Sequence, residues 1–206
     1  MNTQEHEAKT MMGKKYIEFL QQNPQIGWNW NNISNYKYLT TDVIEEYIDS
    51  EWDWGLLSEN EDLDLNISFV KKHLDKNWYW NVLSWRFPLD TITENSDLQW
   101  DWQEISDRKD LTMEFIEKHT DKPLDWTNLT YKFPFDSEFI EKYPNIPYNW
   151  QVLSQQIPLA YILANKQFPW DWEYVTDNKD ITMDFITNNH DKDMNWGEII
   201  NFKFDN

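Results

Sequence analysis

The 206-residue sequence has no cysteine, only four glycines and only two arginines. Without cysteine there is no disulfide framework, no thiolate metal site and no cysteine nucleophile. So few glycines leave no phosphate-cradling loop and no dinucleotide fingerprint, which both need several at fixed offsets. Basic side chains number 18 against 37 acidic ones, a net charge of −19. That balance argues against direct nucleic-acid binding, which rests on Lys and Arg displacing counterions from phosphates. It matches a basic partner, or serves solubility. No apolar run reaches the length of about 18 residues that a membrane span requires. The start, MNTQEHEAKTMMGKK, lacks the apolar stretch of a secretory signal. A soluble chain of a cytoplasmic compartment, with no membrane contact, is expected.

What the chain has in excess is tryptophan, fourteen copies within an aromatic content of 17%. Trp recurs at 30, 54, 80, 102, 126, 150, 172 and 196, at intervals of 22 to 26 residues. A fixed period of this length signals stacked repeats. Residues 100 to 123 and 170 to 193 share twelve of 24 positions. Each recurring Trp therefore sets the register of one repeat.

In that register each position acquires a role. Three residues after the Trp stand Ile33, Leu57, Leu83, Ile105, Leu129, Leu153, Val175 and Ile199, aliphatic every time. This spacing is one face of a helix. The residue before the Trp is Asp or Asn in seven of eight repeats, with Tyr79 the exception. That Asx is placed as an N-cap, and Asp101 with Glu104 suits a reciprocal capping box. A second helix is expected about ten residues after the Trp. Thr40, Asn66, Asp90, Thr112, Asp136 and Thr182 are its expected caps, ahead of apolar pairs such as Phe69-Val70 and Phe115-Ile116. A strand-based solenoid needs tight turns, and the four glycines do not repeat in register.

The fold expected is all-α, an α-solenoid of helix-pair repeats of about 24 residues. Residues 1–15 read as a polar N-terminal tail and 16–206 as one repeat domain. It would comprise a half-repeat, seven repeats and a closing half-repeat ending in NFKFDN. So short a repeat cannot bury its own apolar face, and Trp and Phe supply the most buried area per residue. Thirteen tryptophans fit that role, with Trp85 outside the pattern.

The pattern W-D/N-W-x-x-L/I-S/T is carried by WDWGLLSEN, WDWQEISDRKDLTMEFIEKHTDKP and WDWEYVTDNKDITMDFI. It resembles tandem-repeat proteins encoded by giant DNA viruses of the mimivirus kind. The resemblance spans residues 28–200, and the third and sixth repeats depart from it by being two residues short. It implies a repeat fold and a viral lineage and assigns no catalytic residue.

His73 and His119 fill one slot in different repeats. Stacked helices advance about 8–10 Å each, so these rings cannot converge on one metal ion. Paired carboxylates of the kind glycosidases use coincide here with cap positions such as Asp53 and Asp101. Neither an enzyme nor a cofactor is expected. The repeated Ser/Thr four residues after the Trp (Ser34, Ser58, Ser84, Ser106, Thr130, Ser154, Thr176) offers either a phosphorylation array or hydroxyls that satisfy backbone groups.

Residues that break the pattern mark the candidate site. Arg86, Arg108 and Lys132 all lie six residues after their repeat Trp, and Tyr79, Trp85 and Tyr131 are off-pattern aromatics of the same region. Arg with Tyr and Trp is the composition of interface hot spots. The alternative is that Trp85 packs on a neighbouring loop and the cations offset nearby acids. The leading function is a non-enzymatic scaffold for a protein partner, in host cytoplasm or virion. An acidic decoy that mimics nucleic acid toward basic proteins is the alternative, and carbohydrate binding through Trp85 a third reading.

Overall fold

The computed structural model describes residues 3–197 and 199, with fifteen α-helices and a short 3-10 turn at Pro24–Ile26, and Trp196, Gly197 and Ile199 are helical as well. The helices form a solenoid of short pairs, and the chain divides into two compact halves, Met1–Ile105 and Ser106–Asn206. The sequence reading takes 16–206 as one domain.

The first half opens with α1 (Thr3–Gln22). It continues with the pairs α2 (Trp30–Ser34) and α3 (Thr41–Glu46), α4 (Trp54–Glu59) and α5 (Ile67–Lys72), and α6 (Trp80–Arg86) and α7 (Leu89–Glu94). Helix α8 (Trp102–Asp107) contains the residue at which the halves divide. The second half continues with α9 (Met113–Lys118), α10 (Trp126–Lys132), α11 (Ser137–Lys142), α12 (Trp150–Gln156), α13 (Leu159–Ala164), α14 (Trp172–Val175) and α15 (Met183–Asn188).

The caps explain the boundaries. Asp53 accepts from the Leu56 N–H, Asp101 from Gln103 and Glu104, and Asp125 from Asn128, so each first helix starts at its register Trp. Thr40, Asn66, Thr112, Asp136 and Thr182 cap the second helices in the same way. Asp90 does not. The third and sixth repeats lack two loop residues, so α7 and α13 begin directly after Pro88 and Pro158, with no side-chain cap bond, and Asp90 falls within the first turn. The capping box at Asp101 is not closed either: its N–H donates to Ser84 and the Glu104 carboxylate turns to Trp85.

Three joints lock successive repeats together. The buried hydroxyl four residues after the register Trp accepts the N–H of the residue before the next register Trp. This occurs in the first half at Ser34–Asp53 (2.8 Å), Ser58–Tyr79 (3.1 Å) and Ser84–Asp101 (2.8 Å). In the second half it recurs at Ser106–Asp125, Thr130–Asn149, Ser154–Asp171 and Thr176–Asn195. Ser58, Thr130 and Thr176 also donate to the carbonyl one turn earlier, so the hydroxyl serves two backbones at once. Buried and doubly engaged, these side chains satisfy the backbone.

The second joint is an indole. Trp52, Trp78, Trp100 and Trp170 each donate Nε1–H to the carbonyl five residues earlier, closing the C-terminus of the preceding second helix. Tyr148 does the same with its hydroxyl, to Tyr143. In the third joint these indoles meet the previous register Trp edge to face: Trp30–Trp52 at 5.1 Å, Trp54–Trp78 at 5.0 Å, Trp80–Trp100 at 5.3 Å and Trp150–Trp170 at 5.1 Å between centroids. Such pairs are worth about 0.5–1.5 kcal/mol beyond the area they bury.

The tryptophans therefore divide unequally. Those two positions before the register are buried at 52, 78, 100 and 170, whereas register Trp30, Trp54, Trp80, Trp150 and Trp172 are half-buried and Trp196 is exposed. Register Trp102 and Trp126 are the exceptions, buried at the same first helical position. The aliphatic residue three later is the true core, buried in all eight repeats.

Residues 3–15 of the polar N-terminal segment are helical, as part of α1. Helix α1 lies against the first repeat through Thr10–Thr40 (3.1 Å), Lys14–Glu46 (2.6 Å) and His6–Asp42 (3.1 Å). Gly13 is buried there, and a Cβ on it would stand 2.6 Å from the Tyr38 carbonyl oxygen. Alanine is the better helix former by about 1 kcal/mol, yet here it meets backbone that cannot swing aside. Gly13→Ala is expected to destabilise by about 1–2 kcal/mol net, read as a lowered Tm in a thermal melt. NFKFDN lies outside the described residues.

Candidate interaction surface

The six candidate residues separate by chemistry once placed. In the first half, Tyr79 stands at the N-cap of α6, where its phenol cannot cap. Its ring covers the buried Gly55 closely enough that a Cβ there would be 2.3 Å from Cζ. Trp85, at the end of α6, is 47% exposed, and its Nε1–H donates to Glu104 Oε2 at 2.7 Å. The indole is thus oriented without being covered. Arg86, next to it, points inward. Its guanidinium donates to the carbonyls of Ser58 and Asn60, both at 2.9 Å, and to that of Leu63. Burial pulls its pKa below the ordinary arginine value, against Glu61 and Asp64, which raise it.

In the second half, Tyr131 is 64% exposed at the matching offset of α10. Lys132 donates to the Ser106 carbonyl at 2.8 Å and stands 3.5 Å from Asp107. Arg108 is buried, with a two-point bond to Asp110 at 2.9 and 2.6 Å that holds the Asp110 carboxyl below the usual range. The six residues are therefore not one ladder of aromatics and cations. Aromatic rings face outward, while the three cations are spent on carbonyls and carboxylates of the fold. Periodicity placed these residues at equivalent offsets, but the way Arg86 and Lys132 turn depends on acceptors 23 to 28 residues away.

The acidic second-helix faces are partly neutralised across repeats. Glu45 of α3 pairs with Lys72 (2.6 Å) and His73 (2.8 Å), and Glu117 of α9 with Lys142 (2.5 Å). Among the described residues no three His, Asp or Glu side chains gather as metal ligands, and no helix is long and apolar enough to cross a membrane.

His119 packs against Phe115, its ring tilted by 55° with centroids 4.4 Å apart, and is buried. Burial, the main cause, lowers its pKa below the ordinary 6.5, outweighing the opposing pull of Asp121. The unfolded chain binds this proton more readily than the folded one, so the contribution is complete above 6.5 and is lost as pH falls toward the lower folded value. Comparing Tm at about pH 7.5 and 5.5 should show a smaller drop in His119→Phe than in the wild type.

A groove of about 580 Å³ lies in the second half, between residues 131–137 and 155–158, with Tyr131 and Lys132 in its wall. The sequence signal for it was faint: two proline-bearing loops, KFPF and QIPL, in consecutive repeats. The chain matches no protein-family model, and no curated protein or solved structure aligns significantly with it.

Proposed function

We propose that this chain is a non-enzymatic protein-interaction scaffold of the giant-virus repeat lineage its pattern resembles, working in host cytoplasm or in the virion. The observation that supports this reading is the outward placement of Trp85 and Tyr131. Both stand five residues after their register Trp, where the other described repeats carry Asn35, Glu59, Asp107, Gln155 and Asp177. Two large rings replace polar side chains on helices whose opposite faces are fixed in the core, and preorganised aromatics of this kind are what interfaces use as anchors. The net charge of −19 selects a partner with a basic surface.

The test compares wild type with the Trp85→Ala, Tyr131→Ala double variant as tagged bait in host lysate, washed at low and then high salt. A defined protein kept at high salt by the wild type and lost by the variant is the expected result. Basic proteins that elute from both baits with salt would replace the scaffold reading with that of an acidic decoy, because screening removes attraction between exposed charges.

A further inference from the structure

Lysine over tryptophan is a contact this chain makes with itself. In the first half the Lys76 ammonium stands 5.7 Å from the ring centre of Trp54 and pairs with the Asp75 carboxylate at 3.2 Å. In the second half Lys192 stands 5.6 Å from the ring centre of Trp172 and pairs with Asp191 at 3.1 Å. Each is a set of indole, ammonium and carboxylate, in which the negative face of the ring and the acid hold one cation together.

Trp85 has two of these three parts. Its Nε1–H donates to Glu104 Oε2 at 2.7 Å, so that ring and carboxylate are fixed side by side. The other oxygen, Oε1, makes no hydrogen bond or ion pair with a described residue. A second carboxylate belongs to the same face. Glu59 holds the offset of Trp85 one repeat earlier, is exposed, and pairs with no cation among the described residues. Side chains at this offset in successive repeats come within reach of each other, as Gln155 and Asp177 do at 3.5 Å in the second half. The missing part is the cation. No described lysine or arginine stands over the Trp85 ring. Arg86, beside it, is a strut of the fold, bonded to three carbonyls of the preceding repeat.

We infer that Trp85 and Glu104 receive a lysine side chain of the protein partner, its ammonium lying over the indole and donating to Oε1 of Glu104. The acceptors select lysine over arginine. A guanidinium engages a carboxylate best through both oxygens at once, and here the indole already holds Oε2. One open oxygen beside one ring face suits a compact ammonium. Glu59 adds to the negative potential that draws the cation in. The inference rests on the scaffold reading and names the side chain that the partner presents to Trp85.

The test titrates the intact ¹⁵N-labelled chain with acetyl-Gly-Lys-Gly-amide and, separately, with the norleucine and arginine counterparts. The lysine peptide should shift the Trp85 indole N–H saturably. A Kd of about 10 mM is expected of one cation–indole contact and one exposed ion pair. The norleucine peptide, of similar stem but uncharged, should leave that signal in place, and the arginine peptide should bind more weakly than lysine. Glu104→Gln keeps the size of the side chain and removes its charge, and should weaken lysine binding by about threefold with Tm unchanged. Trp85→Leu, followed at the Glu104 amide, should weaken it as well, and decides the matter if Glu104→Gln does not fold. Equal shifts from the lysine and norleucine peptides would overturn the inference. So would tighter binding of arginine, shifts spread evenly over the acidic surface, or full affinity in the folded variants. Should a Trp85-dependent partner survive high salt while the lysine peptide leaves Trp85 unmoved, the scaffold stands and only the lysine assignment falls.

Discussion

Trp100→Ala is expected to lower the stability of the chain by about 3–5 kcal/mol, the largest effect of any single substitution considered. Trp100 is 5% exposed and takes part in two of the three joints at once. Its Nε1–H closes the Asn95 carbonyl at 2.7 Å, and its ring stands edge-on to Trp80 at 5.3 Å, with Phe87 at 5.8 Å. Alanine removes the ring, opens a cavity and strands a buried carbonyl. Trp100→Phe separates these contributions, because it keeps an aromatic ring and loses the donor. Its expected cost is about 1–2 kcal/mol, that of one buried acceptor left unpaired. Urea unfolding followed by far-UV circular dichroism measures both. Equal losses in the two variants would mean that the hydrogen bond, rather than the packed indole, holds the joint.

The architecture was legible because its causes are local. Asx before Trp, an aliphatic residue three later and a hydroxyl one further are separations that one helix turn makes meaningful. Hence the first helices, their caps and the buried Ile33-to-Ile199 series are read directly from spacing. What spacing does not carry is the identity of a partner in another repeat. Each hydroxyl accepts an N–H 17 to 21 residues further on, and Arg86 reaches carbonyls 23 to 28 residues back. Nothing within Trp85-Arg86 tells which of the two turns outward. Asp90 shows the same limit on a smaller scale, since deleting two loop residues moves the helix start to Pro88 and turns an expected cap into a first-turn acid. The extension of α1 over residues 3–15 was not read because those residues are mostly polar, and what fixes it is Gly13 and Thr10 against the first repeat.

Arg86→Met carries the second large effect, an expected loss of about 2–4 kcal/mol. Methionine preserves most of the stem and removes every donor, leaving the carbonyls of Ser58, Asn60 and Leu63 without the cation that now serves them. Arg86→Lys should recover only part of the loss, because one ammonium cannot reproduce a planar fork aimed at three acceptors. Lys132→Met, with a single carbonyl at stake on a more exposed residue, should cost about 0.5–1.5 kcal/mol. These values separate the strut from the anchor. Trp85→Ala, which uncovers no core, should change stability by no more than about 0.5 kcal/mol while releasing the partner. Arg86→Met should do the opposite, melting earlier yet retaining the partner at temperatures where it is still folded. Partner loss in Arg86→Met without a fall in Tm would show that the guanidinium leaves its carbonyls to join the interface, and would return Arg86 to the binding surface.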